Sequence, residues 1–62
     1  MKLGSNLQYL RKLYGNMTQE KLAERMNVSR QTVSKWENGE AYPELDKLLE
    51  LSSLFSCTLD TL

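Results

Sequence analysis

The sequence predicts an all-α fold, a compact bundle of five short helices, and three features of it point that way. Apolar residues recur at three- and four-residue spacing along most of the chain, the period of a helix with one buried face. Residues that start helices (Thr18, Ser29, Pro43, Thr58) alternate with residues that tolerate the left-handed backbone of a helix end (Gly15, Asn16, Asn27, Gly39). No stretch alternates apolar and polar residues as a half-buried strand would, and no repeat, linker or low-complexity stretch interrupts the pattern.

The first helix is predicted over residues 3–14, because at about 100° per residue Leu3, Leu7, Leu10 and Tyr14 fall within an arc of about 60°. Gly15 and Asn16 stop it. Thr18 caps the second helix and Glu20 lies in its first turn, where the helix dipole favours an acid. Leu22, Ala23 and Met26 form its buried stripe, and Asn27 ends it. Ser29 caps the third helix only two residues later, over residues 30–37. Val33 and Trp36 share one side of that helix, while Arg30, Gln31, Ser34, Lys35 and Asn38 occupy the opposite arc of roughly 140°, which carries no apolar side chain.

Gly39 terminates the third helix, and residues 40–42 lead to Pro43, which suits the first position of a fourth helix because its missing N–H has no partner there anyway. The fourth helix is expected to reach Phe55 and to bury Leu45, Leu48, Leu49, Leu51 and Phe55. Leu54 points nearly opposite Leu45 and is left stranded, a candidate for dimer contact or for cover by the remainder of a fifth helix. Thr58 caps that fifth helix, of which only the start is present, so residues 1–62 are expected to be one domain at the beginning of a longer chain, with dimerisation or effector sensing in the remainder.

Composition narrows the function. With 40% hydrophobic and 26% charged residues the chain is expected to fold, and since no apolar run exceeds two residues it carries neither a membrane span nor a signal-peptide core. A cytoplasmic location is expected. Cys57 is alone and there is no histidine, which removes an internal disulfide, a conventional metal site and the usual bases of nucleophilic catalysis. No glycine-rich phosphate loop is present, so the chain reads as neither an enzyme nor a cofactor protein. The net charge of zero hides a strong polarity: seven basic and two acidic residues up to Trp36, then one basic and six acidic from Glu37 onward. A basic half of this kind suits an anionic partner.

Residues 19–38, QEKLAERMNVSRQTVSKWEN, meet the physical requirements of a helix-turn-helix. Ala23 is small where the two helices cross, Leu22, Met26, Val28, Val33 and Trp36 make the shared apolar contact, and Asn27 stands at the turn position that needs positive φ. In such a unit the first helix lies across the DNA backbone and the second enters the major groove.

The segments TQEKLAE, VSRQTVSKWENG and YPELDKLLEL, with the return into TLDTL, resemble the phage Cro/repressor-type (XRE) family of bacterial transcriptional regulators over nearly the whole chain. The resemblance implies the five-helix, lambda-repressor-like DNA-binding domain and a repressor acting as a homodimer on a palindromic operator. It matches Arg30, Gln31, Ser34 and Lys35 to base-reading positions. The chemistry agrees: Arg30 can fork onto guanine O6 and N7, Gln31 can pair with adenine N6 and N7, Lys35 can reach a guanine or a phosphate, and Ser34 fills or water-bridges. Gln19 matches a phosphate clamp at the opening of the second helix, with Thr32 and Asn38 as further phosphate contacts. Thr32 fits equally a hydroxyl bonded to its own helix backbone.

The resemblance also implies that Arg11 and Glu37 form a semi-buried ion pair holding the first helix to the third. Trp36 is core by spacing, and Tyr42 fits either a cap on the core or a phosphate contact. The chain departs from the family at Asn27 and Ser56, where glycine is frequent, at Cys57, read as core in place of an aliphatic, and in a loop before Gln19 one residue longer than the common form. The alternative function is a protein-interaction module, such as an antitoxin-like or regulator-binding domain.

Overall fold

The computed structural model describes residues 3–56, whose regular structure is helical, with no strand among them. The elements in order are α1 (Leu3–Leu13), α2 (Gln19–Met26), α3 (Arg30–Asn38) and α4 (Leu45–Leu54). The fifth helix expected from Thr58 and the core reading of Cys57 fall outside the described residues. No described helix is long and apolar enough to cross a membrane.

Local chemistry sets the boundaries. After α1 both Gly15 (φ 80°) and Asn16 (φ 57°) take left-handed backbone, which turns the Asn16 and Met17 amides back onto the carbonyls of Lys12 and Arg11 at 3.0 and 2.8 Å. Met17, at the end of this turn, packs partly against the core. Thr18 is extended (φ −78°, ψ 164°) and its hydroxyl accepts the Lys21 N–H at 3.0 Å. Asn27 is left-handed (φ 57°), so the chain reverses and Val28 N–H reaches the Ala23 carbonyl at 3.0 Å. Ser29 repeats the cap for α3, accepting the Thr32 N–H at 3.1 Å, and Gly39 (φ 79°) closes it.

Helix α3 packs against both α1 and α2, and α4 packs against α2. The core draws on every helix: Leu3, Leu7 and Leu10 from α1, Leu22, Ala23 and Met26 from α2, Val33 and Trp36 from α3, and Leu51 with Phe55 from the α4 end. The α1–α3 crossing is close enough that a Cβ on Gly4 would collide with the Glu37 carbonyl oxygen and lie 2.9 Å from its carbon. Only glycine fits there.

Two expectations fail at α4. Pro43 is not its first residue: Glu44 is extended (φ −72°, ψ 167°) as the N-cap, the helix starts at Leu45, and Pro43 is buried just ahead of it. A buried Pro43 before the cap and a partly buried Leu48 in the first turn occupy the positions of a hydrophobic staple, which aims the entering chain. Second, Leu45 and Leu49 are 64% and 53% exposed, whereas the expected outcast Leu54 packs against the core. The cause is rotation. Helix α4 turns Leu51 and Phe55 inward, with Leu54 on one flank and the Leu45–Leu49 edge outward, and in that orientation the Lys47 ammonium donates to the Met26 carbonyl at 2.9 Å, capping the end of α2.

Tyr14 also departs from its stripe. It follows α1 and is 42% exposed, but its hydroxyl donates to the Phe55 carbonyl at 2.8 Å and its ring meets Phe55 edge-on at 5.4 Å. The end of α1 is thereby clamped to the end of α4.

Candidate nucleic-acid interface

Helix α3 is divided between two environments. Val33 is fully buried and Trp36 is 5% exposed, which forces the residues half a turn away into solvent. Arg30, Gln31, Lys35 and Asn38 are exposed, and Ser34 and Thr32 are half-buried at the edge of that face. Among the described residues no hydrogen bond or ion pair engages the side chains of Arg30, Gln31 or Lys35, and no acidic residue shares their face. A rigid helix therefore presents two cations and an amide with their donors available, the complement of guanine and adenine edges and of phosphate oxygens.

Thr32 has a different immediate partner from the one anticipated as its alternative. Its hydroxyl lies 2.9 Å from that of Ser29, not on the backbone of its own helix, so cap and side chain support one another at the start of α3. Asn38 is exposed at the other end of the same helix.

Behind the face lies a polar cluster. Glu37 is 7% exposed, and its carboxylate accepts Arg11 Nε at 2.7 Å, Arg11 Nη2 at 3.0 Å and the Gln19 amide at 2.9 Å. Arg11 Nη1 donates in addition to the Met17 carbonyl at 2.8 Å. Two parallel N–H···O bonds to one carboxylate make the stronger, geometrically defined form of the ion pair, and no buried side-chain polar atom among the described residues is left without a partner. The cluster joins α1, the loop before α2, the first residue of α2 and α3, so it holds the two halves of the helix-turn-helix in register.

Sequence reasoning missed three of these contacts. A glycine near the start of a helix costs about 1 kcal/mol relative to alanine, which is a signal that something approaches closely, and Gly4 carried it. Gln19, placed at a helix start, signals only an outward-facing clamp, whereas its amide nitrogen is shared with buried Glu37. Lys47, the one cation in the acidic half of the chain, donates to the Met26 carbonyl, a contact for which the sequence carries no signal.

With this geometry in place, comparison with known proteins decides the family. A helix-turn-helix family model matches residues 7–62. The chain belongs to the XRE-type helix-turn-helix family of DNA-binding transcription regulators. Among curated proteins it is 47% identical to the HTH-type transcriptional activator BcrR of Enterococcus faecalis over 62 residues, all of this chain and 30% of that protein. The chain thus spans less than a third of that relative's length. No solved structure gives a significant match.

Proposed function

We propose that this domain binds double-stranded DNA sequence-specifically by inserting α3 into the major groove, as part of a dimeric bacterial or phage regulator on a two-fold-related operator. The observation that carries the reading is the α3 face itself: Arg30, Gln31 and Lys35 exposed, uncommitted and free of acidic neighbours, on a helix whose other side is locked in the core. Arg30 reads guanine, Gln31 reads adenine, Lys35 takes a guanine or a phosphate, and Ser34 bridges through water. Gln19, Thr32 and Asn38 contact phosphate; Gln19 keeps a second amide hydrogen for this while the first is held by Glu37. Each half-site receives one reader helix, and one helix spans too few base pairs for adequate specificity, hence the dimer.

Repression is the output implied by the family resemblance, whereas the E. faecalis relative is named as an activator. The proposal therefore extends to regulation of transcription and not to its direction. Salt is the test. The association constant for duplex DNA is expected to fall steeply with rising salt, and Lys35→Ala to reduce the slope of log K against log salt by about 1 if Lys35 contacts a phosphate. A binding constant that barely responds to salt would contradict DNA as the partner and favour a protein ligand.

A further inference from the structure

We infer that the outer faces of α1 and α4 form a head-to-tail contact between copies of this chain, α1 of one protomer lying on α4 of the next. Each helix exposes an apolar pair one turn apart: Tyr9 and Leu13 on α1, 64% and 59% exposed, and Leu45 and Leu49 on α4, 64% and 53% exposed. Residues four apart on a helix form one ridge, so these are two ridges and not four isolated side chains. They are the larger part of the big apolar side chains left in solvent by an otherwise well-buried core. Nothing among the described residues covers either ridge, since α1 and α4 turn their opposite sides to the bundle.

Charge identifies the occupant. Beside the α4 ridge runs a second ridge, Asp46 and Glu50, about 100° further round the helix. Asp46 has no ion-pair partner among the described residues, and Glu50 meets only Lys47, at 3.4 Å and half exposed. Beside the α1 ridge stands exposed Lys12. The two faces also belong to the two halves of a polarised chain, basic up to Trp36 and acidic beyond it. An antiparallel α4 pair related by a two-fold would gather the carboxylates of both copies along one edge, and an α1 pair would oppose lysine to lysine. Apposing α1 to α4 in parallel matches leucine and tyrosine with leucine and, because Lys12 precedes its ridge by one residue while Asp46 and Glu50 follow theirs by one, brings Lys12 to the same edge as Asp46 and Glu50. DNA phosphate is excluded from the α4 face by the same carboxylates. The contact uses no residue of α3, so the reader face stays open.

Such a contact is heterologous: each copy keeps one face unused, and association proceeds beyond a pair unless the rotation closes a ring. With so few apolar side chains it belongs among weak, transient interfaces. Sedimentation of the full chain without DNA tests it, using Leu13→Glu to disable the α1 face and Leu49→Glu to disable the α4 face. Both positions are exposed, so thermal melts should match the parent; Leu13→Ser and Leu49→Ser are the substitutes if they do not. The average mass of the parent should rise with concentration, and should rise less as salt is added. Each variant alone should lose that rise, and their equimolar mixture should recover a one-to-one complex, since one supplies an intact α4 face and the other an intact α1 face. A parent monomeric at every concentration, a single variant that still associates like the parent, or a mixture no heavier than the mean of its separate components would each overturn the inference.

Discussion

Ser56 carries a left-handed backbone (φ 51°) without the two features that make such a conformation cheap, a missing Cβ or an amide side chain. Asn16 and Asn27 share the conformation (φ 57° each) and bear it better, because a short amide can bond locally. Ser56→Gly is therefore expected to stabilise the domain by about 1 kcal/mol, read as a rise in melting temperature of roughly 4–8 °C for a chain this short. An unchanged or lower melting temperature would show that Ser56 is held by something other than its backbone angle. The buried carboxylate works in the opposite direction. Glu37 offers its two oxygens to three donors, and its side chain is 2% exposed against 12% for Arg11. Glu37→Gln leaves a largely buried guanidinium poorly compensated, which is expected to cost about 3 kcal/mol in urea unfolding. Because Gln19 leans on the same oxygens, DNA affinity should fall as well; unchanged stability and affinity together would mean that the cluster is ornament.

Among the elements, the α1–α3 crossing depends on a missing methyl group. Gly4→Ala improves helix propensity by up to about 1 kcal/mol yet drives a Cβ into the Glu37 backbone, so the net effect should be destabilising by about 1–3 kcal/mol in thermal or urea melts. A stabilised Gly4→Ala variant would mean that the two helices lie further apart. Helices α2 and α3 were the most legible in the sequence, since Thr18, Asn27, Ser29 and Gly39 each announce a backbone angle that the structure adopts. Helix α4 was the least legible. Its apolar residues Leu45, Leu48, Leu49, Leu51, Leu54 and Phe55 ring most of the helix, and periodicity alone does not say which arc faces inward. The arc that faces inward is set by tertiary packing, Leu51 and Phe55 in a core shared with the other three helices, and the Lys47 bond to the Met26 carbonyl follows from it. Pro43 failed for a related reason: its fixed φ suits a first helical position, but burial of its ring ahead of the Glu44 cap took precedence.

For the whole molecule, the charge division is the property that joins stability to function. The three helices that build the reader unit carry most of the basic side chains, and six of the eight acidic ones fall from Glu37 onward, so the domain is electrically polar although its net charge is zero. A charge distribution of this kind orients a domain as it approaches a charged partner. The exposed α3 residues were readable from the sequence because Val33 and Trp36 fix the inward side and leave one arc for everything polar. What those residues touch was not, because specificity resides in a partner's base edges and not in this chain's own packing. Selection of binding sites from random duplex DNA, with the parent chain and with Arg30→Ala and Gln31→Ala, measures that directly. With α3 as reader, a two-fold-related site is expected at moderate salt, in which Arg30→Ala relaxes preference at a guanine and Gln31→Ala at an adenine, each with about 1–3 kcal/mol of lost discrimination. Enrichment of no sequence, or a preference unaltered by either substitution, would contradict α3 as the reader helix.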